Sequence, residues 1–203
     1  MGSESSSPTR TQRARRDDIV AAAISVIDSD GFAAASVDRI ASEAGTIKGT
    51  ALYHFKTKDA ICEAVIAALY EQGGSFMTSR LQDTESVGTR LATDLRSNLE
   101  FICAHAAHVR AVQRIIENSP QHRDHVPDSI TPLSELLTAG QRSGEFTLFD
   151  PLIVAGAIRA LIDASAYHLA NSNDVDVDHF VSEIMQFVER ATTSAHNRRK
   201  SGQ

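Results

Sequence analysis

The sequence AGTIKGTALYHFKTK, residues 44–58, mixes residue types that neither a core segment nor a solvated loop would combine. Its lysines exclude a buried position, and its apolar and aromatic residues exclude a fully solvated one. The mixture predicts a short helix that is apolar on one side and basic and aromatic on the other. The lysines are Lys48, Lys56 and Lys58, and the apolar and aromatic residues are Leu52, Tyr53 and Phe55.

Helical periodicity flanks this stretch on both sides. Apolar residues recur at i, i+3, i+4 and i+7 from Ile19 and again from Val37, and Ser36 is a good N-cap for the second of these helices. Gly45 predicts the end of that helix, and only two residues separate it from Lys48, where the next helix begins. Two short helices joined by a tight glycine turn are typical of a helix-turn-helix, whose second helix enters the DNA major groove.

A helix-turn-helix assigns the residues of the stretch to two faces. Ala51, Leu52 and Phe55 are expected to face the preceding helices, and Gly49 lets the backbone approach DNA closely. Lys58 follows Thr57, the expected N-cap of a long helix whose first N–H groups can hold a phosphate. The predicted DNA-binding residues are Arg15, Arg16, Ser36, Thr46, Lys48, Gly49, Thr50, Tyr53, His54 and Lys58.

Composition places the chain among ordinary globular proteins. It has 203 residues, of which 42% are apolar and 23% charged, enough for one large domain or a small domain joined to a larger one. Residues 1–60 are neutral overall, and residues 61–203 carry the whole net charge of −6, so two parts with different partners are expected.

No part of the sequence is expected to direct the chain to a membrane or out of the cell. No apolar run is judged long enough to span a membrane, and the N-terminus has no apolar signal region. Cys62 and Cys103 lie within apolar helical patterns, which favours buried reduced thiols and a cytoplasmic location.

The rest of the chain is also predicted to be helical, which gives an all-α fold class. Asp150 is the expected N-cap of the clearest helix, with Pro151 at its first position, and Gly73-Gly74 should weaken or bend the long helix after Thr57. No alternating strand pattern competes. Helices are predicted at about 86–105, 108–118, 128–142, 151–171 and 178–195.

Residues 16–69 resemble the DNA-binding domain of the tetracycline-repressor (TetR) family of transcriptional regulators. The resemblance is carried by Gly-Phe at 31–32, Ser-Val-Asp-Arg-Ile-Ala at 36–41, Ala-Gly at 44–45, Lys-Gly-Thr at 48–50 and Tyr-His-Phe-Lys-Thr-Lys at 53–58. The family usually has Leu-Tyr where this chain has Ala51-Leu52, and a small hydroxyl residue where it has Ile47. Tyr53 and His54 are therefore the expected aromatic contacts.

The resemblance implies an all-α homodimer of about nine helices that binds a palindromic DNA operator and a small-molecule effector, without a cofactor. It further implies a repressor that its effector releases from DNA. The predicted domains are a disordered basic arm at 1–15, the helix-turn-helix domain at 16–58, a helical effector-binding and dimerisation domain at 59–197, and a disordered tail at 198–203.

The C-terminal part carries the predicted effector site and dimer interface. The effector is expected to be uncharged or weakly anionic and largely aliphatic or a small aromatic compound, because the candidate pocket residues are mostly apolar. The helices at 151–171 and 178–195 are expected to form a four-helix interface between two subunits. The predicted effector-binding residues are Phe76, Phe101, Ile102, His105, His108, Ile116, Leu133, Leu137, Tyr167 and His168.

Two alternatives stay open beside this reading. The pairs His105/His108 and His122/His125 have a spacing that could serve a metal, although pocket-lining and surface histidines are the preferred interpretation and no metal site is predicted. One alternative is a regulator of the same fold that responds to a metal ion or a protein partner. The other is a small helical enzyme or carrier, against which stands the absence of Gly-x-Ser-x-Gly, Walker and His-Glu-x-x-His motifs.

Overall fold

The structure is a computed structural model that describes residues 9–80, 86–172 and 175–193. Within these ranges the chain forms nine α-helices and one short 3₁₀ helix and no strand, which confirms the predicted all-α fold. The α-helices are α1 (Arg10–Asp30), α2 (Val37–Glu43), α3 (Lys48–Phe55), α4 (Lys58–Thr78), α5 (Val87–Ala104), α6 (Ala106–Asn118), α7 (Ile130–Arg142), α8 (Pro151–Asn171) and α9 (Val177–Thr192). The 3₁₀ helix is Pro120–His125.

Local capping chemistry explains where several of these helices begin. The Ser36 hydroxyl accepts a hydrogen bond from the Arg39 N–H at 3.1 Å, and the Asp150 carboxylate accepts from Leu152 N–H at 3.0 Å. The Thr57 hydroxyl does the same for the N–H of Ala60 at 3.1 Å. Each cap satisfies an N–H group that has no partner within its own helix, so all three predicted helix starts are confirmed.

Helix α1 begins earlier than the sequence analysis expects. The predicted disordered arm at 1–15 is corrected for residues 10–15, which form the first turns of α1. Thr9 and Gln12 explain this start, because each side chain bonds the backbone N–H of the other and together they form a capping box. The rest of that arm, 1–8, and the predicted tail at 198–203 lie outside the described residues.

The chain divides into two compact units. The N-terminal unit consists of the described residues up to Leu69 together with Ala107–Val126, and the C-terminal unit consists of Tyr70–Ala106 and the described residues from Pro127 onwards. These units group residues by packing and differ from the predicted functional domains at 16–58 and 59–197, which stay predictions. Helix α4 contributes residues to both units.

In the N-terminal unit, α1 packs on α2 and α2 packs on α3. Each fully buried isoleucine of its core stabilises the fold by about 1.5–3 kcal/mol. Two arginines of α6 bond to α1 in this unit: the Arg110 guanidinium donates to both carboxylate oxygens of Asp28 at 2.6 Å, and Arg114 donates to the Ile27 carbonyl at 2.6 Å. The fully buried isoleucines are Ile19, Ile27, Ile40, Ile61, Ile66 and Ile115.

In the C-terminal unit, α5 packs against α7, α8 and α9, and α7 packs against α8. Gly73 of α4 faces the Phe101 ring, and a Cβ added there would lie 3.2 Å from the ring. Helix α4 continues through Gly73-Gly74 to Thr78, so the glycine pair does not end the helix.

Helix α8 corrects the expectation that no segment is long enough and apolar enough to span a membrane. By length and composition alone this helix could cross one, and it is the single such helix in the described ranges. Large apolar side chains of α8 are exposed, among them Leu152 and Ile153. Exposed apolar patches of this kind are typical of surfaces that contact another protein or a membrane.

The cysteines follow the expectation in part. Cys62 is fully buried and Cys103 is half-buried, and both are free thiols. Burial raises the pKa of the Cys62 thiol to about 11, so this thiol stays protonated and unreactive at neutral pH.

Candidate nucleic-acid interface

The turn between α2 and α3 has the geometry of a helix-turn-helix. Helix α2 ends at Glu43, and Gly45 takes a φ of 63°, a left-handed conformation that favours glycine. The Thr46 N–H then donates to the Ala41 carbonyl at 2.9 Å, which satisfies one of the last carbonyls of α2. Helix α3 therefore starts at Lys48 after a turn of four residues, as predicted.

Helix α3 is seated by two buried side chains, Ala51 and Phe55. Leu52, which is expected on the same side, is only half-buried. Arg16 of α1 closes the end of the helix: it donates to the His54 carbonyl at 2.6 Å, and its guanidinium lies 4.1 Å from the centroid of the Phe55 ring. The Arg16 guanidinium, which is predicted to contact DNA, therefore also holds α3 in place.

The opposite face of α3 is open. Tyr53 is 63% exposed, and Ile47 at the N-cap is 72% exposed although both are large apolar or aromatic residues. A Cβ added at Gly49 would meet no atom of the other described residues within 4 Å, so the space in front of this glycine is open in the part of the chain that the structure describes. Single exposed apolar residues are ordinary, but here they alternate with cationic side chains around one helix.

Lys48 lies at the start of this face and forms an ion pair with Asp38 of α2, with 2.7 Å between Nζ and Oδ2. Both side chains are more than half exposed, so the pair contributes little to stability and Lys48 can exchange the carboxylate for a phosphate or a base edge. Asp38 therefore orients the ammonium without burying it.

Lys58 is turned towards the protein. Its ammonium donates to the Phe32 carbonyl at 2.7 Å and lies 3.9 Å from the centroid of the Phe32 ring. These contacts fix the segment between α1 and α2 against the start of α4. In the structure the Lys58 ammonium thus makes its contacts within the protein, and the phosphate contact expected of it stays a prediction.

The remaining predicted DNA-binding residues differ in exposure and in the contacts they make. Thr50 and His54 are half-buried on α3, and the Tyr53 and His54 rings meet edge to face with 5.2 Å between centroids. Ser36 is committed to its cap, and Arg15 pairs with Asp18 at 3.5 Å along α1.

Two residues outside the predicted DNA-binding set are exposed at the two ends of α3. Lys56 ends α3 with a φ of 61°, is exposed, and has its ammonium 5.4 Å from the centroid of the Tyr53 ring. Ile47 is exposed beside Lys48. The lysine-rich end of the stretch could have indicated Lys56, but nothing local in the sequence separates it from Lys58, which turns inwards.

The predicted effector-binding residues are divided between the two units. Phe76, Phe101 and His105 form an aromatic cluster in the C-terminal unit, with centroid separations of 5.6 Å for the phenylalanines and 4.0 Å for Phe101 and His105. His108 and Ile116 belong to the N-terminal unit, where a ring nitrogen of His108 lies 2.8 Å from the Val65 carbonyl.

The other five predicted residues all lie in the C-terminal unit with differing exposure. Ile102 and Leu137 are buried, Leu133 is half-buried, and Tyr167 and His168 are exposed on α8. The His168 ring contacts the Phe180 ring of α9 in a tilted arrangement with 5.3 Å between centroids.

A cavity of about 710 Å³ lies in the C-terminal unit between α5, the turn after α7, and α9. Among the described residues that line it, none belongs to the predicted effector set. Glu145 lies at its wall and accepts hydrogen bonds from the Gly88 and Val87 N–H groups at 2.9 and 3.2 Å. Burial opposes ionisation of Glu145, but these bonds and one from the Ser143 hydroxyl outweigh it and lower the pKa of the carboxyl.

Comparison with known proteins identifies the same segment that carries this surface. Residues 19–65 match the family model described as bacterial regulatory proteins, tetR family. The A-factor receptor protein of Streptomyces griseus is 31% identical over 148 residues, which cover 70% of this chain and 50% of that protein. The chain thus spans about half the length of this curated relative.

Solved structures share the fold over most of the chain. The fatty acid degradation regulator FadR from Bacillus halodurans matches with a TM-score of 0.76 and 20% identity, covering 91% of this chain and 97% of that one. AibR, in complex with isovaleryl coenzyme A and operator DNA, matches with a TM-score of 0.71 and 16% identity, covering 86% and 97%. The similar proteins are regulators rather than enzymes.

Proposed function

We propose that this chain is a ligand-responsive transcriptional repressor and that it binds a palindromic operator as a homodimer, because it belongs to the tetR family of bacterial regulatory proteins. A small-molecule effector would release it from DNA, and the protein would act in the cytoplasm. The observation that carries the proposal is the exposed basic and aromatic face of α3. The opposite face of this helix packs on the protein through Ala51 and Phe55, and Arg16 bonds its last turn.

On this face, side chains divide between base reading and phosphate binding. Base reading is assigned to α3, because the second helix of a helix-turn-helix enters the major groove. The residues that carry it are Lys48, Gly49, Thr50, Tyr53 and His54. Ile47 offers an apolar contact to a thymine methyl group, and exposed Lys56 offers a phosphate contact. Arg16 and Lys58 support binding indirectly, because they hold α3 and the start of α4 in place.

A homodimer accounts for the exposed apolar surface of α8 and α9. Two recognition helices must reach successive major grooves, which lie about 34–36 Å apart on one face of DNA. Leu152, Ile153 and Tyr167 of α8 and Phe187 of α9 are each 59–70% exposed. A second copy of the chain packed on these helices would bury that surface, which is the same surface that makes α8 resemble a membrane span.

For the effector we propose a small, largely apolar metabolite held in the C-terminal unit, which contains both the aromatic cluster of Phe76, Phe101 and His105 and the cavity of about 710 Å³. One relative is named for A-factor and another structure holds isovaleryl coenzyme A, which supports a small organic effector for this chain. Helix α4 contributes residues to both units, so we expect effector binding in the C-terminal unit to act on the DNA-binding helices through α4. The effector must favour the DNA-incompetent state by several kcal/mol, because equal affinity for both states shifts nothing.

The test of DNA binding is a fluorescence anisotropy titration with duplexes from the region upstream of the chain's own gene, over a series of salt concentrations. We expect the affinity to fall steeply with salt, because phosphate contacts release counterions. Lys56→Ala should weaken binding to specific and random DNA alike and lower the salt slope by about one. Tyr53→Ala should instead reduce the preference for the specific duplex.

The matched control is Arg142→Ala, which removes an exposed cation from α7 in the C-terminal unit and should leave DNA binding unchanged. If the Lys56 and Tyr53 variants bind both duplexes as the unsubstituted chain does, α3 is not the DNA-binding surface. For the effector, a screen of acyl compounds should find one that releases DNA from the unsubstituted chain and fails to release it from His105→Ala. A screen in which no compound releases DNA would remove the effector from the proposal and leave a constitutive repressor.

A further inference from the structure

Two histidines of the 3₁₀ helix and a glutamate of α4 lie together in the N-terminal unit. His122 and His125 are three residues apart, the spacing at which side chains on a 3₁₀ helix lie one above the other. The nearest ligand atoms of Glu63, His122 and His125 all lie within 4.8 Å of one another. Nε2 of His125 and Oε1 of Glu63 are 3.5 Å apart.

His122 gives this cluster a buried and unsatisfied donor atom. Its side chain is 2% exposed, and neither of its ring nitrogens has a hydrogen-bond partner among the residues that the structure describes. Buried polar atoms are nearly always bonded, because leaving them without a partner costs the desolvation of the group. The nearest carboxylate, that of Asp59 one turn before Glu63 on α4, is 3.6 Å from Nε2, just beyond a hydrogen bond.

We propose that His122, His125 and Glu63 bind a divalent transition-metal ion of the zinc or nickel type. Imidazole nitrogen together with one carboxylate is a donor set that such ions accept, whereas magnesium and calcium prefer oxygen donors alone. Zinc bonds of about 2.0–2.2 Å in a tetrahedron place neighbouring ligand atoms about 3.4 Å apart. The His125–Glu63 distance already matches this value, and the remaining separations require side-chain movements of about 1 Å at exposed groups.

Asp59 completes the surroundings of the ion. Its carboxylate lies where it can accept a hydrogen bond from the ring nitrogen of His122 that does not bind the metal. Carboxylates commonly orient metal-binding histidines in this way. Asp59 is therefore assigned as a positioning residue, and water can fill the open coordination position on the exposed side of the cluster.

The other pair of histidines, His105 and His108, does not belong to this cluster, which among the described residues contains only Glu63, His122 and His125. A ring nitrogen of His105 lies 2.9 Å from the Phe101 carbonyl, and a ring nitrogen of His108 lies 2.8 Å from the Val65 carbonyl. Each of these rings is therefore already oriented by the backbone. An ion bound by His122, His125 and Glu63 would join the 3₁₀ helix to the first turns of α4 and stabilise the N-terminal unit.

The experiment is an isothermal titration of the full chain, without a polyhistidine tag, with zinc chloride, and in separate runs with nickel and magnesium chloride. We expect saturable binding of one zinc ion per chain, accompanied by a rise in melting temperature, and no saturable binding of magnesium. His125→Ala and Glu63→Gln should each lower the zinc affinity at least tenfold and remove the rise in melting temperature. Both residues are partly exposed, so neither substitution should prevent folding.

The control is His179→Ala, which removes an exposed histidine of α9 in the C-terminal unit and should leave zinc binding unchanged. Absence of saturable binding by the unsubstituted chain would overturn the proposal. Equal binding by the His125 and Glu63 variants would also overturn it, because the ion would then lie elsewhere. The proposal does not depend on DNA binding, and its failure would leave the function proposed above intact.

Discussion

Gly140 of α7 lies against the ring of Phe146, and replacing it by alanine creates a steric conflict that can be worked out from the structure. A Cβ at this position would lie 2.1 Å from Cδ2 of Phe146 and 2.4 Å from Cε2. Carbon atoms in contact are normally about 3.5–4.0 Å apart, so the ring or the helix must move by more than about 1 Å. Phe146 is 7% exposed, so most of its ring surface is packed against other residues and its movement is restricted.

Two opposing effects set the size of the destabilisation. Overpacking a well-packed site costs about 1–3 kcal/mol, and three ring atoms within 3 Å place this case near the upper end. Replacing glycine by alanine within a helix returns about 0.5–1 kcal/mol. We therefore expect Gly140→Ala to lower the free energy of unfolding by about 2 kcal/mol, which for a chain of this size lowers the melting temperature by about 4–8 °C.

Thermal and urea unfolding followed by circular dichroism would measure this change. Gly74→Ala is the matched control, because a Cβ at that helical glycine would meet no atom within 4 Å and should leave stability unchanged or raise it. In a Phe146→Leu background, Gly140→Ala should cost less than about 0.5 kcal/mol, since the smaller side chain can yield. An equal cost in both backgrounds would refute the steric explanation, as would a rise in melting temperature for Gly140→Ala alone.

Three further predictions concern the two units. Asp28→Asn should lower the free energy of unfolding by about 2 kcal/mol, because it leaves the half-buried Arg110 without its doubly bonded carboxylate; Asp18→Asn on the exposed face of α1 should cost less than about 0.5 kcal/mol in the same urea titration. The lowered pKa of Glu145 adds stability that is complete above its ordinary value of 4.5 and is lost as pH falls through the folded-state value. Glu145→Gln should therefore melt at a lower temperature at pH 7 and show a smaller further loss on acidification, and parallel melting curves at every pH would contradict this. Gly49→Ala should leave the melting temperature unchanged or raise it while weakening DNA binding in the anisotropy assay, because its open space is proposed to receive the duplex; undiminished DNA affinity would show that the backbone at this glycine does not approach DNA.

The sequence by itself determined the helices and where most of them begin and end. Ser36, Thr57 and Asp150 each supply an oxygen to the first N–H groups of their own helix, a contact between residues two or three positions apart. Gly45 takes the left-handed conformation needed after α2 for an equally local reason. Apolar spacing of three and four residues shows which face of each helix is buried, so the all-α fold and the helix-turn-helix follow from neighbours along the chain.

Only the tertiary structure decided which cations face outwards and which are used within the protein. Lys56 and Lys58 are two residues apart in the sequence, yet Lys58 is drawn to the Phe32 carbonyl while Lys56 stays exposed beside Tyr53. Arg16 is drawn to the His54 carbonyl in the same way. Both carbonyls belong to residues far from these cations along the chain. A local sequence pattern therefore cannot predict either hydrogen bond.

The histidine cluster depends on tertiary structure for the same physical reason. The spacing of His122 and His125 is visible in the sequence, but the carboxylates that the sequence places near them, Glu117 and Asp124, are absent from the cluster. Glu63 comes from α4 instead, because packing within the N-terminal unit brings the 3₁₀ helix beside that helix. Local chain geometry sets the helices, whereas the meeting of side chains from distant helices is set by how those helices bury their apolar faces together.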